Sequence, residues 1–264
     1  MCGACLALAS CSGADDTKIA IQSGTTSEAY AKVLNGVEVV SFDTFALAAQ
    51  GMKNGNADYV FVDKTTANAL CDQIEGLKII DIALSSEFYG IGIDPKQANL
   101  KTQIDTILET KAAEIDAIKA KYMNGEEEKY VGVESAAKST AKKDQQLVVA
   151  TTAEFAPWEY KEGNKYYGID MEIAKLIADE LDMELVIDDM QFNMVVGAVG
   201  KNDVDIAMSG ITITAERAAV INFSIPYYTE SIVVVSKTDD KTFDSAGTVV
   251  DILNAICYPA EAAE

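Results

Sequence analysis

Arg217 closes a hydroxyl-rich run, Ser209 to Arg217 (SGITITAER), which follows the apolar stretch Val204 to Met208 and opens onto an expected helix. If Thr214 caps that helix, Arg217 stands in its first turn, where the dipole and free N–H groups favour negative charge and a cation is misplaced. A bound carboxylate or phosphate resolves the conflict, with backbone N–H groups and the Thr212 and Thr214 hydroxyls as further donors. The structural alternative is that Thr214 only caps, while Arg217 turns back to Glu216 or a loop acid.

A second candidate clamp is Ser23-Gly24-Thr25-Thr26-Ser27-Glu28. Thr25 and Glu28 have capping-box spacing, with Glu28 reaching back to the cap N–H. Gly24 permits close backbone approach, and the same helix start, Thr26 included, can take a carboxylate. Capping alone also accounts for these residues. Asp63 directly follows the apolar run Asp58 to Val62. An acid at a strand's carboxyl end can pair with a ligand cation or cap the next helix. Phe155, Trp158, Tyr160 and Phe192 can form an aromatic wall, although aromatics beside Pro157 also serve as core plugs. Carboxylate clamps, one ammonium-pairing acid and aromatic surfaces are the chemistry of a free amino acid ligand. The chain has no activated nucleophile and no glycine motif of the P-loop or dinucleotide type.

The elements that must position these residues alternate between strand and helix. Strands are expected at Lys18 to Gln22, Val37 to Ser41, Asp58 to Val62 and Leu77 to Ala83, with helices from the SGTT turn onward, over Thr44 to Met52 and over Thr65 to Cys71. Apolar residues from Leu100 to Tyr122 keep helical spacing, as one long helix or two in succession. Val131 to Gln146 is polar and rich in small residues, as a linker is. A second series follows: strand Leu147 to Thr151, helix Asp170 to Leu181, strand Glu184 to Ile187, helix Phe192 to Gly200 and strand Val204 to Met208. Ile232 to Ser236 is a further strand, and Thr248 to Ile256 is weakly helical. This alternation implies βαβ units and mainly parallel sheets, with ligands at the carboxyl ends of strands.

Composition narrows the function classes. The chain has 264 residues and 49% hydrophobic content, enough for one large or two modest domains. Its 21 basic and 42 acidic residues give a net charge of −21, which disfavours nucleic acid as a partner. There is no histidine, so hydrolytic triads and zinc sites of the usual kind are disfavoured. No apolar run reaches the length of a bilayer span. Met1 to Ser12 is leader-like, and Leu8-Ala9-Ser10-Cys11 has the small-residue character of a lipoprotein processing site, although no lysine or arginine precedes it. Processing there makes Cys11 a lipidated N-terminus and a membrane anchor. Cys2 and Cys5 form a C-x-x-C without the strand–helix context of a redox motif. Cys71 is expected as a buried small hydrophobe.

Taken together, LVVATTAEFAPWEY, GIDMEIAKLIADEL, DIAMSGITITAERAAVINFSIPYY, IAIQSGTTSEAY and NADYVFVD resemble the solute-binding proteins of bacterial polar amino acid ABC transporters. The resemblance runs from Lys18 to Ser236. It implies the type II periplasmic-binding-protein fold, an α/β architecture of two lobes, each a mainly parallel sheet flanked by helices. It also implies that Arg217, Thr212 and the Thr26 backbone hold an α-carboxylate, that Gly210, Thr212 and Asp63 hold an α-ammonium, and that Phe155 and Phe192 enclose the side chain. Ser23, Thr25, Ser209 and Trp158 complete the expected ligand-binding set. Thr152 stands where several members carry an acid, which argues against strong lysine or arginine selectivity.

The order of the halves departs from the family, in which the LVVAT half comes first. The expected organisation is a leader over 1–16, lobe 2 over 17–86, the returning hinge strand and C-terminal helices of lobe 1 over 87–130, a linker over 131–146, the main part of lobe 1 with its hinge strand over 147–236, and a tail over 237–264. That is a circular permutation, whose linker joins the usual chain ends. A slice of a tandem array and a half-swapped dimer remain as alternatives. The implied function is an extracytoplasmic, periplasmic or cell-surface binder, without cofactor, that closes by hinge motion and delivers an amino acid to an ABC permease. The competing classes are a dehydratase-like enzyme using Asp63 or Glu154, and a sensory ligand-binding domain.

Overall fold

Residues 59–63 (YVFVD) and 232–237 (IVVVSK) offer almost no polar face, and both become strands buried within one sheet. They lie side by side although Ile232 follows Asp63, its register partner, by 169 positions in the chain. The computed structural model describes residues 16–201 and 204–259, so the expected leader and Cys11 lie outside the described residues.

In chain order the elements begin with β1 (Thr17–Gln22), α1 (Thr26–Lys32), β2 (Val37–Phe42), α2 (Phe45–Lys53), β3 (Tyr59–Asp63), α3 (Lys64–Gln73) and β4 (Leu77–Ile80). Then come β5 (Glu87–Tyr89), β6 (Gly92–Ile93), α4 (Ala98–Thr110), α5 (Ala112–Met123), β7 (Gln146–Thr151), β8 (Glu154–Phe155), β9 (Glu159–Glu162), β10 (Lys165–Tyr167), α6 (Ile169–Glu180) and β11 (Glu184–Asp189). The series closes with α7 (Phe192–Ala198), β12 (Ile206–Ala207), α8 (Ala215–Ala218), β13 (Asn222–Phe223), β14 (Tyr228–Glu230), β15 (Ile232–Lys237) and α9 (Val249–Cys257).

Two five-stranded sheets define two lobes. Lobe 2 has the order β2-β1-β3-β15-β4, and lobe 1 the order β11-β7-β12-β6-β13. In each, the βαβ strands pair in parallel: β1 with β2 and β3, and β7 with β11 and β12. In each, a strand arriving from across the molecule pairs antiparallel with its neighbours: β15 with β3 and β4, and β6 with β12 and β13. Each sheet is therefore mainly parallel, with four strands in one direction and a single reversed strand, because a chain returning from the other lobe enters against the direction of the βαβ strands.

The chain crosses between the lobes twice. The crossing strands, β5 and β14, pair antiparallel with the register Tyr228↔Tyr89 and Glu230↔Glu87. The strand read as a hinge, Ile232 to Ser236, lies inside the lobe 2 sheet, and β14 makes the crossing just before it. The tail from residue 238 also belongs to lobe 2. Thr248 and Asp251 form a capping box at the start of α9, Ile252 and Ile256 are buried, and the Thr17 hydroxyl donates to the Ile256 carbonyl at 2.7 Å.

The helical periodicity from Leu100 to Tyr122 resolves into α4 and α5, which break at Lys111 and pack against α6 of lobe 1. The segment read as a linker lies along lobe 1. Val133 pairs with Tyr166, and the Ala136 N–H donates to the Leu185 carbonyl at 2.8 Å. Cys71 is partly exposed rather than buried, and it and Cys257 are free thiols.

Candidate functional site

The two sheets present their strand ends to one cleft. Lobe 2 lines it with Gln22, Thr25 and Thr26 after β1, Phe45 at the start of α2, and Asp63 at the end of β3. Lobe 1 contributes Phe155 from β8, Phe192 at the start of α7, Gly210 and Thr212 after β12, and Arg217 from α8. About 270 Å³ of space lies between them, continuous with solvent. The Phe45 and Phe155 rings meet across the lobes with centroids 5.8 Å apart and form an apolar end.

Arg217 is held as a donor and not as half of an ion pair. The Thr214 hydroxyl accepts from the Arg217 N–H at 3.1 Å, so Thr214 caps α8 as its position requires. The guanidinium then reaches forward: Nη1 donates to the Thr212 carbonyl at 2.8 Å, and Nη2 to the Gly24 carbonyl of the opposite lobe at 3.0 Å. Its carbon lies 5.7 Å from the centroid of the Phe192 ring. Among the described residues no carboxylate lies within ion-pair distance of it, and the guanidinium fork has N–H donors beyond these two. Burial lowers its pKa, opposed by the negative charges of Glu87 and Asp63.

Asp63 has the position of an N-cap to α3 but makes no capping hydrogen bond. That work falls to Glu230 of β14, which accepts from the Thr65 N–H at 3.3 Å and from the Thr65 hydroxyl. Asp63 lines the cleft, is buried, and its Oδ1 has no hydrogen-bond partner. Burial pushes its carboxyl well above the ordinary range, with the charges of Glu87 and Glu230 adding to the effect. A cation entering the cleft would oppose those causes through its charge.

Glu87 of β5 carries the chemistry that sequence reasoning missed. One of its oxygens accepts from the Thr26 hydroxyl of lobe 2 at 2.8 Å and from the Thr212 hydroxyl of lobe 1 at 2.6 Å. The Thr212 hydroxyl, expected to face a ligand carboxylate, and the Thr26 hydroxyl are thus directed to an internal acid that ties the lobes together. Their backbone groups and Arg217 remain as the polar lining. An acid at the head of the apolar run Phe88 to Ile93 was the available signal for Glu87.

The remaining expected residues fall around the cleft. The Thr25 hydroxyl donates to the Gln22 carbonyl at 2.7 Å and accepts from the Glu28 N–H at 3.3 Å, so it caps α1. Glu28 reaches back to the Gly24 N–H at 2.7 Å, one residue before the cap N–H that capping-box spacing predicts. Ser23 stands outside the lining, with its N–H on the Phe42 carbonyl at 2.9 Å. Ser209 is fully buried behind the lining, its hydroxyl donating to Glu159 and accepting from the Thr152 N–H at 3.3 Å. The Thr152 hydroxyl is likewise turned away, onto the Met190 carbonyl at 2.8 Å.

Trp158 is fully buried at the hinge rather than on the cleft wall. Its Nε1–H donates to the Thr65 hydroxyl oxygen at 2.9 Å, and its ring meets Tyr89 and Tyr228 edge-on at 4.9 and 4.7 Å. Gln22, Phe45 and Tyr89 were not anticipated. Gln22 was legible in QSGTT, whereas nothing local marked the other two.

Two glycines are required by geometry. Gly210 has φ +51°, and a Cβ there would stand 2.7 Å from Phe155 Cε1. Gly24 has φ +83°, and a Cβ would approach Asn193 Cα of the other lobe to 3.0 Å.

Residues 147–259 match the model of the bacterial extracellular solute-binding proteins, family 3. The arginine-binding extracellular protein ArtP of Bacillus subtilis is 41% identical over 93 residues, which cover 35% of this chain and 36% of ArtP. A cyclohexadienyl dehydratase of Pseudomonas aeruginosa is 38% identical over 82 residues, 31% of each chain. A solved point mutant of domain 1 of TmArgBP, in its arginine-bound form, is 31% identical, covering 44% of this chain and 89% of that one with a TM-score of 0.32. The aligned regions span about a third of the length of these two curated relatives.

Proposed function

We propose that this chain, which belongs to the bacterial extracellular solute-binding proteins of family 3, captures a free amino acid between its lobes by hinge closure and delivers it to an ABC importer. The observation that carries the reading is the opposition of two groups in one cleft. Arg217 offers N–H donors without a carboxylate partner, and Asp63 offers a buried carboxylate oxygen without a donor. An α-carboxylate on the first and an α-ammonium on the second complete both. Phe155, Phe192 and Phe45 then enclose the side chain.

The ligand is a free amino acid, with a lean to polar uncharged members or to broad selectivity. A net charge of −21 disfavours acidic ligands at long range, an effect that salt screens. Partner and location follow from the same reading: an ABC permease receives the closed form outside the cytoplasm, and lipidation of Cys11 attaches the protein to the membrane. The described residues contain no helix long and apolar enough to cross a membrane.

We also infer that the halves stand in circularly permuted order. The first strands build lobe 2, β5 leads into lobe 1, and β14 returns the chain to complete the lobe 2 sheet with β15. On this inference lobe 1 comprises 87–130 with 147–230, and lobe 2 comprises 17–86 with β15 and the tail. A monomer by light scattering is expected; an obligate dimer whose sites need both chains overturns it.

Thermal-shift screening with the common amino acids, followed by mass spectrometry of the incubated ligand, tests the function. A raised Tm with unchanged ligand is the expected result. A chemically altered ligand overturns it in favour of an enzyme, the reading that a dehydratase among the relatives keeps in view.

A further inference from the structure

Behind the cleft, two fully buried carboxyl groups hold Gly210 of its lining and Ser209 just behind it. Glu159 of β9 accepts from the Ser209 hydroxyl through Oε1. Asp170, in the first turn of α6, accepts from the Gly210 N–H at 2.8 Å through Oδ2 and from the Tyr227 hydroxyl at 2.8 Å through Oδ1. Both acids are 0% exposed, and Glu159 Oε2 is buried without any partner. Isolated buried carboxylates are costly, so their retention behind a strained glycine needs a reason.

We propose that Asp170, backed by Glu159, is the positioning residue of the amino acid clamp, holding the Gly210 N–H and so fixing the turn that presents Gly210 and Thr212 to the ligand. The reading of the cleft as an amino acid site supplies the ligand in this statement. The geometry of the turn does not depend on it. Gly210 adopts φ +51°, against the Phe155 and Tyr89 rings. In that conformation its N–H points back into lobe 1, and Asp170 is its acceptor. An ionised carboxylate accepts from both Gly210 and Tyr227 more strongly than a neutral acid does.

The surroundings make this acceptor sensitive to pH. Tyr227 faces Asp170, and Asp170 and Asp189, at the end of β11, bring their charges to bear on Glu159. The cations that α4 and α5 bring towards this region are engaged elsewhere: Lys119 on Asp116 and the Tyr227 carbonyl, Lys121 on Glu172, and Lys111, between the two helices, on Glu180. No described cation lies within ion-pair distance of Asp170 or Glu159. Burial holds the Asp170 carboxyl up at about 7, against the Gly210 and Tyr227 hydrogen bonds. Burial and the charge of Asp170 push the Glu159 carboxyl well above its ordinary value.

The test follows the Gly210 amide by ¹⁵N–¹H spectroscopy of the full chain from pH 5.5 to 8.5, with L-glutamine and L-arginine affinities measured at pH 6 and 8. The Gly210 resonance is expected to titrate near pH 7 in the wild type and in Glu159→Gln, and to stand still in Asp170→Asn. Affinity is expected to fall about tenfold from pH 8 to pH 6 beyond any part due to Asp63, and Asp170→Asn removes that factor. A Gly210 resonance that does not move, or one that still titrates in Asp170→Asn, overturns the proposal. Loss of the titration in Glu159→Gln overturns it too and assigns the proton to Glu159. A titrating Gly210 with no amino acid bound at either pH overturns the amino acid reading and leaves the positioning of the turn standing.

Discussion

The Arg217 guanidinium donates to the Gly24 carbonyl across the cleft at 3.0 Å, so the side chain that would hold a ligand carboxylate also joins the lobes. Ligand grip and closure therefore share one group. An added methyl at Gly24 would meet Asn193 Cα at 3.0 Å, which shows how closely the backbones approach at this point.

Arg217→Ala is expected to abolish the thermal shift for every amino acid. Hydrogen bonds to a charged group contribute about 1.5–3 kcal/mol each, so losing two of them costs 10²-fold or more in Kd by calorimetry. Arg217→Lys keeps the charge but not the fork and is expected to recover only part. Normal binding by Arg217→Ala refutes the assignment.

Asp63 links binding to proton release. Its pKa is raised by burial and by Glu87 and Glu230, and a ligand ammonium beside it would favour the ionised form and the loss of any proton the free carboxyl holds. Affinity therefore rises with pH. Calorimetry in two buffers of different ionisation enthalpy should detect a released proton in the wild type, and none from this site in Asp63→Asn. Equal heats in both buffers for the wild type contradict the pairing.

Much of this site was legible because motifs place residues at strand ends, and strand ends converge. Phe155, Phe192, Gly210, Thr212, Arg217, Thr25, Thr26 and Asp63 all line the cleft. Glu87 and Phe45 escaped notice because their partners are distant in sequence: Glu87 meets Thr26 and Thr212 only after both crossings are made. Trp158 was ambiguous for a similar reason. An aromatic after a first strand fits a cleft wall or a plug, and only the folded hinge, with Thr65 within reach of the indole N–H, decides between them. The single reversed strand in each sheet was not legible, because the sequence shows the βαβ units and not the direction from which β6 and β15 enter.

Phe192 and Trp158 should consequently separate in their effects. Phe192→Ala opens the cleft wall beside Arg217 and is expected to reorder preference among amino acids in a competition assay. Trp158→Phe keeps an aromatic plug, removes the donor to Thr65, and is expected to lower stability by about 1 kcal/mol without changing that order. A changed order in Trp158→Phe instead places the indole at the ligand.

Stability and affinity should move in opposite directions with pH. Asp170, held up at about 7, binds a proton in the folded chain that the unfolded chain releases near the ordinary carboxyl value of 3.8. Over that interval the folded state carries more protons, so stability falls as pH rises from about 4 to 7 and then levels for this group. Asp63 and Glu159, also raised, act in the same direction. Denaturant melts of the wild type and Asp170→Asn should show a shallower decline in the variant; parallel curves count against a raised Asp170.

The β5–β14 ribbon has a mechanical consequence. Two strands that pair antiparallel where they leave one lobe for the other bend readily across their shared plane but resist twisting and shear, because either motion breaks the ladder between Glu87–Tyr89 and Tyr228–Glu230. The lobes are left with essentially one degree of freedom. A single distance between labels on the two rims, for example at the exposed Leu47 and Met194, would then serve as a complete coordinate for opening.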